Sequence, residues 1–301
     1  MWRDVVGMPS ARSLATLIGF CAVLLWSLLA LFTVGSAPVP PLLLNAMCFA
    51  IAGGIGLVWL AMTGGVRLLA GTSWKVYAFG TAGLFGYHFL YFSALRMAPP
   101  AQAGLIAYLW PLLIVLFSGL LPGERLGRGH LAGAGLAFLG AALVVVDRTE
   151  TAATGALHGF GLAFLCALTW SGYSVISRRL GAVPTGSVAV FCVFSALLSA
   201  AAHLLLEEPA WPTNTLGWAS VVALGIGPVG LAFYVWDIGV KRGDIQLLGV
   251  AAYAAPLLST LVLVLAGLAE PRATLFAAAV LIAGGAALAA RASARIVRPD
   301  R

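Results

Sequence analysis

The chain has 301 residues, 61% of them hydrophobic and only 9% charged, with a net charge of +7 at pH 7. Soluble proteins carry about 25% charged residues and have no room inside for so much apolar surface, so an ordinary globular protein is excluded. The basic excess would suit a nucleic-acid partner, but its distribution along the chain, below, argues against one.

A helix that crosses a bilayer needs about 20 apolar residues. In chain order such runs fall near 14–34, 42–62, 76–95, 101–121 and 130–146, then 158–177, 185–206, 217–239, 245–267 and 273–290. The first run follows Arg3 and Arg12 and resembles a signal peptide, but it is too long for an h-region and is read as a retained helix. The fold expected is all-α and integral to the membrane: ten transmembrane helices in two inverted five-helix repeats. Residues 1–146 form the first repeat, the polar stretch 147–157 (DRTETAATGAL) a linker, and 158–301 the second repeat with a basic tail. With the N-terminus in the cytoplasm, only Arg96, Arg148 and Arg272 of the 17 Lys and Arg fall on the outer side. That is the asymmetry of the positive-inside rule, and it puts both termini in the cytoplasm. The charge labels topology, so the lipid bilayer and not nucleic acid is the expected partner.

The two halves repeat each other. GLIAYLWPLL at 104–113 matches GVAAYAAPLL at 249–258, an offset of 145 that pairs Gly104 with Gly249, Tyr108 with Tyr253 and Pro111 with Pro256. The same offset pairs Arg96 with Lys241, and Trp26–Ser27 recurs as Trp170–Ser171 at 144. An odd number of spans per copy inverts the second copy, a plan found in secondary transporters. The fifth and tenth spans, with GAGLAFLGA and AGGAALAA, are rich in small residues and polar-poor, the composition of tightly packed structural helices.

The third, fourth, eighth and ninth spans hold the aromatic hydroxyls and the few polar groups. Pro111, Pro228 and Pro256 fall within spans, where each removes a helical hydrogen bond and gives a candidate gating break. Proline kinks also occur in purely structural membrane helices. His88, flanked by Tyr87 and Tyr91, is read as a cavity wall or proton-sensitive group, with a bonded core histidine as the bland alternative. Trp236 and Asp237 are candidate gating or coupling residues; Asp237 is alternatively half of a helix-surface ion pair with Lys241 four residues on. Trp26, Tyr108, Trp110, Trp170, Tyr234 and Tyr253 complete the candidate substrate-binding rings. Trp and Tyr commonly mark membrane interfaces, but Trp26, Trp170, Tyr108 and Tyr253 fall near mid-span. Tyr108 and Tyr253, related by the repeat, would be placed to face one another across a central pathway and clasp apolar, aromatic or ammonium groups.

Cys21, Cys48, Cys166 and Cys192 all lie in spans and form no metal-binding pattern; no catalytic constellation or cofactor motif is present either. No Lys or Arg lies mid-span, which disfavours phosphorylated substrates. The expectation is a non-enzymatic carrier of small solutes that needs no cofactor and functions as a monomer. A passive channel or pore, and less readily an intramembrane enzyme, remain as alternatives.

The segment 91–126, YFSALRMAPPAQAGLIAYLWPLLIVLFSGLLPGERL, resembles the EamA-type repeat of the drug/metabolite transporter superfamily. The shared features are an aromatic-rich helix ending in a basic residue, an Ala/Pro turn, a proline inside the next helix, and Gly123–Glu124. The second copy departs, with Ala269–Glu270–Pro271 displaced by one residue and Lys241–Arg242–Gly243–Asp244 replacing the Ala/Pro turn. Within that superfamily the tyrosines and His88 are most similar to bacterial exporters of amino acids and aromatic metabolites. The resemblance implies alternating access, a central cavity lined by the third, fourth, eighth and ninth helices, and export of amino acids, aromatic ones included, and of related metabolites or cationic drugs. It makes Pro111 and Pro256 helix breaks and Glu124 a structural residue of the cytoplasmic end.

Overall fold

The computed structural model describes residues 10–146 and 156–297; most of the linker expected at 147–157 lies outside them, as do Arg3, Arg148 and the last residues of the tail. The described residues are helical and contain no strand. Helix α1 (Ala11–Trp26) is followed by α2 (Leu29–Gly35), α3 (Pro41–Met62), the short α4 (Val66–Ala70) and α5 (Trp74–Met97). Then come α6 (Pro100–Ala107), α7 (Trp110–Ser118) and α8 (Arg128–Val146). The second half holds α9 (Leu157–Arg179), α10 (Ser187–Leu206), α11 (Thr215–Ile226), a π-helical turn at Gly227–Leu231 and α12 (Ala232–Arg242). It ends with α13 (Ile245–Ala251), α14 (Ala254–Leu265) and α15 (Ala273–Val297). Among the described residues, seven helices, counting the pieces of broken ones together, are long and apolar enough to cross a membrane, and Gln102–Ser118 and Arg128–Val144 are shorter apolar ones.

Local chemistry explains the helix starts. Ser10, Asn214 and Asp244 each accept a backbone N–H of the turn that follows, from Ser13, Gly217 and Leu247. Pro41 and Pro100 occupy first helical positions, where a missing N–H costs nothing. Gly123 and Gly267, equivalent in the two halves, adopt positive φ of 80° and 71°, so their turns need glycine.

Outside and inside are reversed relative to a soluble protein. Leu204, Leu205, Leu265 and Phe276 stand exposed, while Asn45 hydrogen-bonds Ser199 in the interior at 2.9 Å. Helices of opposite halves pack together: α3 on α10, α5 on α9, α1 on α12 and α8 on α15. With no water to drive association inside lipid, close approach of small residues supplies the contact. A Cβ on Gly285 would stand 2.5 Å from the Gly133 carbonyl oxygen, and one on Gly239 would stand 2.5 Å from the Gly19 Cα.

Charged side chains collect at the two ends. At one end Glu207 closes α10: its carboxylate accepts the Leu42 and Leu43 N–H groups at the start of α3, and it pairs with His203 and Arg96. Burial alone would raise its pKa, but the Leu42 N–H, His203, the Leu43 N–H and Arg96 together hold it below its ordinary value of 4.5. A carboxyl depressed in the folded state contributes stability that is complete above its unfolded pKa and is lost as pH falls through the folded one. Melting temperature should therefore drop below pH 4.5 more steeply for the wild type than for Glu207→Gln, compared in detergent by thermal unfolding across that range. Parallel curves would show that the carboxylate does not hold this end.

Candidate functional site

Breaks in four apolar segments converge on the centre. The α-helical ladder is interrupted by tighter turns at Ser27–Leu28, Tyr108–Leu109 and Ala252–Tyr253, and widens into the π turn at Gly227–Leu231. Pro111 and Pro256 lie in the first turn of the resumed helix, and Pro228 in the π turn. A helix cannot continue its ladder through such residues, so the break precedes each proline. The break after Trp26 has no proline; the Ser27 hydroxyl donates to the Leu24 carbonyl at 2.6 Å, the back-bonding that competes with a helical ladder. Its repeat partner Ser171 makes the same kind of bond to Ala167 at 2.8 Å, yet α9 runs on unbroken.

Four tryptophans meet where the breaks converge. Trp26 at the end of α1, Trp110 opening α7, Trp170 in α9 and Trp236 in α12 form a tetrad in which all six ring-centroid separations lie between 5.1 and 6.5 Å. Most pairs are edge-on or tilted, the geometry favoured by the ring quadrupole. The Trp236 indole N–H donates to Ser174 at 3.1 Å, satisfying the polar atom of a fully buried ring. Phe233, Phe49 and Tyr173 extend the cluster.

Toward the Arg96 end of α5 the cluster gives way to polar rings. Tyr87 stacks on Tyr91 with centroids 6.1 Å apart and planes 6° from parallel, and leans on Trp170 at 5.3 Å. Tyr108 is close enough to both tyrosines to interact with them electrostatically. All three keep part of their surface accessible, the partial exposure that a crevice wall would have. Gly104, one turn before Tyr108, is buried, but a Cβ there would meet nothing within 4 Å, so open space lies next to it. His88 packs edge-on against Phe49 and Phe233. Its Nδ1 lies 2.8 Å from the Leu84 carbonyl, which can only accept, so a neutral ring keeps its proton there and leaves Nε2 as an acceptor.

Other candidates lie apart from the crevice. Tyr234 donates its hydroxyl to the Ala52 carbonyl of α3 at 3.1 Å. Tyr253 does not face Tyr108: it is fully buried against Phe138, and its hydroxyl accepts the Leu112 N–H at 3.1 Å. The repeat relates the two tyrosines, but the halves differ in shape, so equal sequence positions do not have equal surroundings. Asp237 pairs with Lys241 at 2.9 Å, yet not on a helix surface. It is buried, accepts from Thr185 at 2.7 Å, and Lys241 also donates to the Val183 carbonyl. The pair binds α12 to the turn between α9 and α10. Phe49, Phe233 and Tyr173 were not among the expected rings; Phe and lone Tyr positions are too common in apolar spans to stand out.

Beyond the tetrad, ion pairs tie the helices of the far end together. Glu124 binds Arg178, and Arg12 at 3.3 Å; Arg12 also lies 3.7 Å from Asp244. Arg178 donates in addition to the Val240 and Gly243 carbonyls, and Arg179 to Leu120. One network thus joins α1, the α7–α8 turn, α9 and the α12–α13 turn.

A lipid-solvated bundle with broken helices, a ring-lined crevice at its centre and an ion-paired seal at one end is built as a carrier of small solutes. The chain belongs to the EamA-like transporter family, which matches residues 13–146 and again residues 157–291. It is a multi-pass membrane transporter. It is 55% identical over 282 residues to the aromatic amino acid exporter YddG of Ancylobacter novellus, spanning 93% of this chain and 98% of the relative. The exporter of the same name from Salmonella typhimurium is 26% identical over 261 residues, 82% of this chain and 86% of the relative. A solved crystal structure 54% identical in sequence superposes with a TM-score of 0.90 over 95% of this chain and 99% of its own.

Proposed function

We propose that this protein exports amino acids, aromatic ones among them, and related small metabolites or drugs across the bacterial inner membrane. It does so as a monomer, by alternating access between two inverted five-helix repeats of a ten-span bundle. The observation that carries this reading is the group of partly exposed rings Tyr87, Tyr91 and Tyr108, backed by His88, over a floor of four tryptophans. Stacked and edge-on rings accept an aromatic or apolar side chain, and ring faces attract an ammonium group. The relatives named as aromatic amino acid exporters support the same substrate class. Repeat-related rings touch at the centre, Trp26 with Trp170 at 6.0 Å and His88 with Phe233 at 6.0 Å, as groups beside a pseudo-two-fold axis would.

The excess of Lys and Arg assigns the Arg12 end to the cytoplasm. On that assignment the crevice faces outward, and the ion-pair network closes the cytoplasmic side. A passive pore gains no support, because four packed tryptophans occupy the centre of the bundle. In proteoliposomes preloaded with unlabelled phenylalanine, labelled phenylalanine should enter faster than into unloaded ones, the counterflow characteristic of a carrier. Gly104→Phe, which fills the space at the crevice wall, should abolish the effect while the protein still folds. Uptake equal in loaded and unloaded vesicles, or unchanged by Gly104→Phe, would refute the reading.

A further inference from the structure

The two repeats hold matching residues in contrasting environments. Helix α7 restarts after the Tyr108–Leu109 break, and the first N–H groups of any helix lack partners within it. Pro111 brings no N–H, and that of Leu112 is taken by Tyr253 from the other repeat at 3.1 Å. Tyr253 is fully buried. Its counterpart Tyr108 is only partly buried. The glycines one turn earlier differ in the same sense. A Cβ on Gly249 would stand 2.9 Å from Val115 and 3.2 Å from the Pro111 carbonyl, whereas one on Gly104 would touch nothing within 4 Å. One half is therefore docked on the other's broken helix, and the reverse docking site is open.

Inverted repeats that alternate access exchange shapes when the open end changes, since each half then takes the conformation its twin held before. We infer that Tyr253 and Tyr108 are the two positions of one latch, each phenol in turn accepting the first-turn N–H of the other repeat's broken helix, so that the bond made selects the open end. In the present state the latch is Tyr253 on Leu112. In the opposite state Tyr108 accepts from Leu257, and Gly104 docks on the stretch from Pro256 to Thr260. Tyr253 is thus a positioning residue that holds Trp110 in the tetrad, and it touches solute only when the Arg12 end is open. The inference rests on the alternating-access reading above.

The test reads conformation without any solute. Gln246, buried at the Arg12 end, is replaced by Cys in a chain whose exposed Cys21 is Ser. Labelling of that Cys by a membrane-impermeant maleimide then follows the population open at that end. Tyr253→Phe keeps the ring and removes the acceptor, so it should speed labelling about two- to tenfold, the worth of one hydrogen bond. Tyr108→Phe should slow it by a similar factor. Gly249→Ala and Gly104→Ala should repeat this opposed pair by crowding one docking site or the other. Changes in the same direction, or a silent Tyr253→Phe, would overturn the latch. Counterflow surviving such a result would leave the carrier reading intact, and counterflow absent from the wild type would remove that reading first.

Discussion

Trp170→Ala is expected to abolish transport and to destabilise the bundle by about 3 kcal/mol. Trp170 touches Trp26, Tyr87, Trp110, Tyr173, Phe233 and Trp236, more ring neighbours than any other residue of the cluster. Truncation in a soluble core carries both a transfer cost and a cavity cost. Here lipid is as apolar as the bundle interior, so the transfer part is small and lost packing dominates, which sets the effect at the low end of the usual range. Removing the ring also breaches the floor of the crevice. Thermal unfolding in detergent together with phenylalanine counterflow measures both effects. Trp170→Phe should recover most of the stability but only part of the transport, because a six-membered ring cannot reach all six neighbours. A Trp170→Ala protein of wild-type stability and transport would remove the tetrad from the account.

Glu124→Ala should open the Arg12 end. It strands Arg178, whose side chain is only 17% exposed, beside the helix ends it now ties together. Breaking a buried pair by removing one partner usually costs 3–5 kcal/mol, about, because a desolvated charge is left behind. Arg178 keeps the Val240 and Gly243 carbonyls, and Arg12, 42% exposed, loses little. A cost of about 2 kcal/mol to the closed state is therefore reasonable, a shift of about 30-fold in the equilibrium. Labelling of Gln246→Cys in this background should rise accordingly and become salt-insensitive, while the Glu124→Gln protein, which retains an acceptor for Arg178, should fall between the two. No change in accessibility would mean that the network does not bear on closure.

These expectations differ in how far they could be read along the chain. Trp26 and Trp170 stood out because tryptophan in mid-span opposes its interfacial habit. Pro111, Pro228 and Pro256 announced breaks because proline lacks the donor a helix needs. The break after Trp26 gave no such signal, since Ser27 disturbs only α1 while Ser171 leaves α9 whole. Asp237 and Lys241 were legible as a pair four residues apart. That Thr185 and Val183 enclose them was not, because those residues come from another helix junction. Tyr253 was the largest departure: repetition of sequence suggested a ring facing its twin, and asymmetry of conformation made it a hydrogen-bond acceptor instead.

What the amino-acid sequence determined by itself was the lipid-solvated helical character, the duplication and the sorting of charge along the chain. Each follows from local rules, because lipid obliges a spanning segment to satisfy its backbone within itself and basic residues resist translocation. Only the tertiary structure decided that Trp26, Trp110, Trp170 and Trp236 form one cluster, that Tyr87 stacks on Tyr91 beside it, and that Glu124 pairs with Arg178 and Arg12 at the other end. Those meetings depend on the rotation and tilt of helices far apart in the chain, which small-residue contacts such as Gly19 with Gly239 set across the two halves and no single segment specifies.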